Sequence, residues 1–243
     1  MLKLDYRRGL EAAVGGGRRE AGTVLAIGAH PDDVELGCGA TLARHIAAGH
    51  RVVVLVVADG ARGSGADAQV RYREQSAAAA ALGVELEWLG LPDGRAGDSP
   101  EQLIASIEQV VRRVHPVVVY THSPHDSHQD HRATAQAAVS ACRDVARLLH
   151  FESPSTTGFA PTVFTDVAGF VGAKLAALRA HASQVAHSRR VDLEAVEALM
   201  RYRGFQGGIT YAESFVPFRF VWNVEQAEKS MADAAETWTE IAL

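Results

Sequence analysis

The chain has 243 residues, 47% of them hydrophobic and 22% charged, with a formal net charge of −5. That length and apolar content suit one α/β domain, and the acidic balance argues against nucleic-acid binding, which calls for a basic patch or stripe. No run approaches the ~20 apolar residues of a membrane-spanning helix, and Cys38 and Cys142 lie in apolar helical stretches outside any CxxC pattern, so no disulfide framework or thiolate zinc site is expected.

Residues 1–22 read as a leader, a short helix followed by the joint Gly15-Gly16-Gly17. They carry Arg7, Arg8, Arg18 and Arg19 without a continuous apolar stretch, which argues against a secretory signal and for a cytoplasmic protein. Apolar, β-rich runs then follow at 23–28, 51–58, 84–89 and 116–121, with weaker ones near 148–152 and 162–167. Between them stand Ala-rich helical stretches at 38–48, 70–82, 100–114, 131–149 and 169–182. The run Arg51-Val52-Val53-Val54-Leu55-Val56-Val57 has no polar alternation after its first residue, as expected of a strand buried on both faces. Pro100 after Ser99 starts one helix and Pro116 closes it. A helix over Asp192–Arg203 is expected to stop at Gly204 as its C-cap, and Phe215 to Trp222 reads as a final strand. From Glu225 the acidic, Ala-rich tail suits a surface helix. The expected division is a leader over 1–22, one domain over 23–223 and a tail over 224–243. Strands alternating with helices predict an α/β fold, a mostly parallel sheet covered by helices on both faces.

Residues capable of chemistry fall after the predicted strands. Gly28-Ala29-His30-Pro31-Asp32-Asp33 follows the first, Asp59-Gly60 the second, Pro92-Asp93-Gly94 the third, and His122-Ser123-Pro124-His125-Asp126-Ser127-His128-Gln129-Asp130-His131 the fourth; Glu152-Ser153-Pro154 follows the fifth. In a parallel sheet these segments share the carboxyl edge, where open α/β sheets bind ligands. Imidazole and carboxylate are suitable zinc ligands, and a catalytic zinc keeps three of them plus one water. His30 and Asp33, three apart around the stiff Pro31, can face one ion while Asp32 points elsewhere. A carboxylate beside metal-activated water is a natural general base. One further ligand comes from His128 or His131, and the other can polarise a substrate carbonyl; Asp130 is suited to hold an imidazole tautomer. Spacing alone decides neither Asp32 against Asp33 nor His128 against His131.

The motifs Ala29-His30-Pro31-Asp32-Asp33 and His128-Gln129-Asp130-His131-Arg132 resemble those of the zinc-dependent PIG-L/LmbE N-deacetylases. The likeness continues through Asp59-Gly60-Ala61-Arg62-Gly63, through Arg71 with Glu74, and through Tyr211-Ala212-Glu213-Ser214-Phe215. It implies a Rossmann-like fold, with one Zn2+ per chain held by His30, Asp33 and His131, Asp32 as base and His128 as electrophile. Gln129 stands where the family usually has Pro. The implied reaction removes acetyl from an N-acetylated amino sugar of N-acetylglucosaminyl type, or its conjugate; the implied assembly is a dimer or hexamer. Arg62 and Asp93 are candidate substrate contacts, whereas His122 and His125 are expected to be structural or solvated. Two rivals share these residues: an amidase for another N-acyl or thiol-conjugate substrate, and a non-haem iron(II) enzyme, since two His and one carboxylate also form that metal's facial triad.

Overall fold

The computed structural model describes residues 22–62, 66–187 and 191–222. The described residues as far as Phe220 form one compact unit; apart from Gly22, the leader and tail of the sequence reading lie outside the described residues.

Seven strands form one sheet: β1 (Thr23–Gly28), β2 (Arg51–Ala58), β3 (Glu85–Leu91), β4 (Pro116–His122), β5 (Arg147–Phe151), β6 (Val163–Asp166) and β7 (Ala212–Phe220). Their order is β3-β2-β1-β4-β5-β7-β6. β1 to β5 are parallel, and β7 runs antiparallel to both its neighbours. Seven helices accompany them: α1 (Asp33–Ala47), α2 (Ala68–Leu82), α3 (Pro100–Val114), α4 (Gln129–Ala141), α5 (Val171–Ala180), α6 (Ala182–His187) and α7 (Leu193–Gln206).

Strand alternation divides the core into two layers. Leu25, Ile27, Val53 and Leu55 pack against Leu103, Ile107 and Val110 of α3 and Ala137 and Ala138 of α4. Val24, Ala26, Val52 and Val54 face the other way, onto Val34, Cys38 and Leu42 of α1. Every second residue thus serves the opposite layer, which is why these strands are continuously apolar. Beyond α1, a further layer joins Leu175 and Leu178 of α5 to Val196 and Met200 of α7.

Three boundaries differ from the sequence expectation. The fourth crossover helix stops at Ala141, not 149, because Leu148 to Phe151 are paired with β4 on one side and β7 on the other. The last strand begins at Ala212, where it also pairs with β6. Gly204 is inside α7 and is not its C-cap; the helix runs to Gln206. A Cβ at Gly204 would stand 2.5 Å from the Thr210 carbonyl oxygen, so glycine is required there for close backbone approach.

Helix α1 is broken at Cys38 (φ −147°, ψ 16°). The second half therefore has its own unsatisfied N–H groups, and Glu213 of β7 accepts from two of them, Ala40 N (3.1 Å) and Thr41 N (2.6 Å). Lys174 of α5 donates to the same carboxylate (2.6 Å) and to the Leu36 carbonyl (2.6 Å).

Candidate metal centre

Strand order reverses between β1 and β4, and it is here, at the carboxyl edge, that an open α/β sheet offers a crevice. The turn after β1 supplies His30 and Asp32 and the start of α1 supplies Asp33; the β4–α4 connection supplies Asp126 and His128, and the first turn of α4 supplies Asp130 and His131. Among the described residues, ligating atoms lie within 4.8 Å of one another in three overlapping groups. These are His30 with His128 and His131, Asp33 with His122 and His131, and His30 with Asp93 and Asp130.

Hydrogen-bond partners assign the imidazole tautomers. His30 Nε2 lies 3.1 Å from Asp130 Oδ2 and 3.2 Å from Asp93 Oδ1, so it carries the proton. Its Nδ1 is left toward Asp33 Oδ2, 3.3 Å away. His131 Nδ1 lies 3.1 Å from Asp126 Oδ2, which leaves Nε2 toward Asp33 Oδ1 at 3.4 Å. Two imidazole nitrogens therefore converge on opposite oxygens of one buried carboxylate. The edges of a zinc tetrahedron with N and O ligands at ~2.0–2.2 Å are about 3.3–3.6 Å, so these two separations, between imidazole nitrogens and a carboxylate, are of the size and donor type such an ion takes. Without a cation, Asp33 is balanced by imidazole protons. Burial opposes its ionisation, but His131, His122 and His30 hold its carboxyl well below the usual range. Burial likewise opposes charge on His30 and His131, and the carboxylates around them outweigh it, raising both above the ordinary imidazole value. A cation binding here would displace those protons.

Asp32 occupies the N-cap position of α1 with φ 93° and ψ −23°, a left-handed conformation, and its side chain makes no cap bond. Non-glycine residues hold such angles at a cost of about 1–3 kcal/mol, and they gather at functional sites. Freed from capping, the carboxylate meets Arg71 Nη2 at 3.2 Å, and that guanidinium also bonds the Pro31 carbonyl. Gln75 steadies the turn by accepting from Asp32 N (3.2 Å), and its amide donates to the buried Glu35 (2.7 Å). Burial pushes the Asp32 carboxyl up, against the pull of Arg71, to about 6.

His128 is the N-cap of α4 and accepts from Asp130 N through Nδ1 (3.2 Å). In its neutral form the proton is then on Nε2, and burial followed by His30 and His131 lowers its pKa. It stands edge-on to His30 and stacked on His131, with both centroid separations 4.7 Å. Asp130 is fully buried, and the imidazole it reaches is that of His30; Gly94 N (2.7 Å) and Ala96 N (3.2 Å) complete its coordination. Asp93 accepts from Arg62 N (2.8 Å), and its contact with His30 draws its pKa down to about 2. The Arg62 side chain is exposed.

His122 is completely buried: its Nε2 accepts from Ala29 N (3.0 Å), its ring stacks on His131 at 4.0 Å, and burial lowers its pKa to about 4. It ties the end of β4 to the end of β1. His125 is exposed. Asp126 is the residue that sequence reasoning passed over. It lies in the His-rich segment, but only the fold brings Ser153, Ser155 and Thr156 onto its carboxylate. Glu152, singled out with Ser153, turns away to a bidentate pair with Arg203 (2.7 and 2.6 Å).

Known proteins resemble this chain in sequence and in fold. Residues 25–142 match the PIG-L family, described as GlcNAc-PI de-N-acetylase. A deacetylase of Escherichia coli, YaiS, is 40% identical over 169 residues, covering 66% of this chain and 90% of its own. The 1D-myo-inositol 2-acetamido-2-deoxy-alpha-D-glucopyranoside deacetylase of Kineococcus radiotolerans is 31% identical, covering 73% of this chain and 72% of its own. Among solved structures, the conserved protein TT1542 of Thermus thermophilus superposes with a TM-score of 0.74 at 34% identity, over 82% of this chain and 96% of that one.

Proposed function

The chain belongs to the PIG-L family of de-N-acetylases, and from that premise we propose that it is a zinc-dependent hydrolase removing acetyl from an N-acetylated amino sugar or its conjugate. The observation that carries this reading is the convergence of the free Nδ1 of His30 and Nε2 of His131 on Asp33, with Asp32 and His128 beside them. His30, Asp33 and His131 would hold the ion. When bound, it would supply Lewis-acid polarisation of the amide carbonyl and acidify the attacking water.

The chain's own groups manage the protons. Asp32, oriented by Arg71, takes the proton from water as the new C–O bond forms. It returns that proton to nitrogen as the C–N bond breaks, so that acetate and the free amine leave. His128, protonated on Nε2, donates a hydrogen bond to the oxyanion that forms on the carbonyl oxygen, an electrostatic contribution of about 2.7–4 kcal/mol in comparable sites. The strained backbone at Asp32 keeps this carboxylate off the helix cap and available for proton transfer. Amino-sugar specificity is supported by the relative named for a 2-acetamido-2-deoxy-glucopyranoside, with Arg62 and Asp93 as substrate contacts. A cytoplasmic location is consistent with two free, buried cysteines and with the lack, among the described residues, of any helix long and apolar enough to cross a membrane. We assign the catalytic domain to 23–223; apart from Gly22, the segments before and after it lie outside the described residues.

The test is acetate release by zinc-loaded protein across a panel of N-acetylglucosaminyl compounds, with Asp32→Asn as control. Turnover by wild type is expected to fall by about 10²–10⁴-fold in the variant while zinc content is unchanged. Near-wild-type turnover in Asp32→Asn would overturn the base assignment. Silence with stoichiometric zinc would redirect the search to longer acyl groups or thiol conjugates. Preferential iron loading with oxygen consumption would favour the iron(II) alternative, and failure to bind any metal would end the metal reading.

A further inference from the structure

We infer that Asp126, held in a cage of hydroxyl groups from the β5–β6 connection, is the positioning residue that fixes His131 as a metal ligand. This rests on the metal reading above. Its support is the geometry of a second group of residues, none of which approaches Asp33.

Asp126 has no exposed side-chain surface. Oδ1 accepts from His128 N (2.8 Å) and Ser155 Oγ (2.7 Å), and Oδ2 accepts from Ser153 Oγ (2.7 Å) and Thr156 Oγ1 (3.1 Å). The remaining approach to Oδ2 is taken by His131 Nδ1 at 3.1 Å. The backbone is fixed too: Asp126 and Thr156 form an isolated antiparallel bridge, and Arg132 Nη1 donates to the Asp126 carbonyl (2.6 Å).

These contacts have a directional consequence. Four donors besides the imidazole stabilise the ionised carboxylate, so it stays an acceptor and keeps the proton of His131 on Nδ1. The lone pair of Nε2 must then face Asp33. A bare requirement for filled space would not explain a carboxylate at this place, because burying an ion without a cationic partner is costly and three hydroxyls could serve a neutral residue as well. A buried carboxylate on the far nitrogen of a ligating imidazole raises that ligand's basicity and locks its ring orientation. His30 is held in the same manner by Asp130, from the first turn of α4.

Competition against a chromophoric chelator measures zinc affinity directly, without turnover. Asp126→Asn keeps the shape of the side chain and removes its charge; it is expected to weaken zinc binding about 10–100-fold. Asp126→Ala is expected to weaken it at least as much, and Ser155→Ala, which only loosens the cage, by less than the Asn variant. Thermal unfolding of the metal-free proteins is recorded alongside. Zinc affinity within two-fold of wild type in Asp126→Asn, with a lowered Tm, would show a purely structural carboxylate and overturn the inference. If Asp126→Ala does not fold, the Asn and Ser155 variants carry the test. If wild type itself binds no zinc, the metal reading fails first, a result distinguishable from equal affinities in wild type and variant.

Discussion

Two clusters of buried charge differ in how their accounts close: one at the break in α1, the other at the carboxyl edge between β1 and β4. At the break, Glu213 meets the Lys174 ammonium and two backbone N–H groups, and Lys174 also satisfies the Leu36 carbonyl. One anion, one cation and the orphan groups of a broken helix are matched within the chain. At the sheet edge, Asp33, Asp93, Asp126 and Asp130 surround His30 and His131, and among the described residues the ion-pair partners of these carboxylates are imidazoles alone. Folding completes the first cluster. In the function proposed above, a cation replaces the imidazole protons and completes the second, and that difference would separate a structural cluster from a binding one.

The largest effect on stability is expected from breaking the closed cluster. Lys174→Met leaves Glu213 buried without its counter-ion and should destabilise the fold by about 3–5 kcal/mol, read as a shift in the urea midpoint. Adding Glu213→Gln should restore part of the loss, since the two residues share one interaction. A double variant as unstable as the sum of the two single variants would mean that the pair is not coupled.

The open cluster should respond to metal instead. Zinc at 100 times its Kd should stabilise wild type by about 2.7 kcal/mol, a rise in Tm of roughly 5–10 °C for a chain of this size. EDTA should abolish the rise, and Asp33→Asn should show none. Equal stabilisation of Asp33→Asn would place the ion elsewhere.

A third group, the half-buried His45, which has no carboxylate partner among the described contacts, sharpens the contrast. His45 lies against Tyr120 Oη (2.9 Å) and His50 Nδ1 (3.0 Å), and burial, followed by His50, lowers its pKa to about 4. The unfolded chain, titrating near 6.5, holds more protons than the folded one between those values. The contribution of His45 to stability should therefore be full above pH ~6.5 and be lost, by about 2 kcal/mol, on acidification toward pH ~4. His45→Gln should flatten part of that slope in urea midpoints taken at pH 7 and pH 5. The part due to His122, also lowered to about 4, should persist. An unchanged slope would show that His45 titrates alike in both states.

Much of this was legible in the chain. Continuous apolar runs announced strands buried on both faces, and the His-Asp segments fell after them, on what the sheet makes one edge. Asp32 and Asp33 were separable only through family resemblance until the backbone was seen. The left-handed turn at Asp32 sends adjacent carboxylates to Arg71 and to the imidazoles respectively. Asp126 and Asp130 looked alike in sequence, four residues apart. They are divided by partners that arrive from Ser153–Thr156 and from Gly94 and Ala96. The helix expected over 131–149 ran too far because no Gly or Pro separates Ala141 from Arg147; strand pairing set its end.

The sequence by itself determined the alternation of strands and helices, the placement of the chemical motifs at strand ends, and the family, because these depend on period and spacing along the chain. Tertiary structure alone decided which nitrogen of each imidazole is free, which carboxylate orients which ring, and that Glu213 and Lys174 mend a broken helix. Apart from His30–Asp33 and Asp126–His131, which are neighbours in sequence, those are contacts between residues about 40 to more than 170 positions apart, and only the packed core brings such residues within hydrogen-bonding distance.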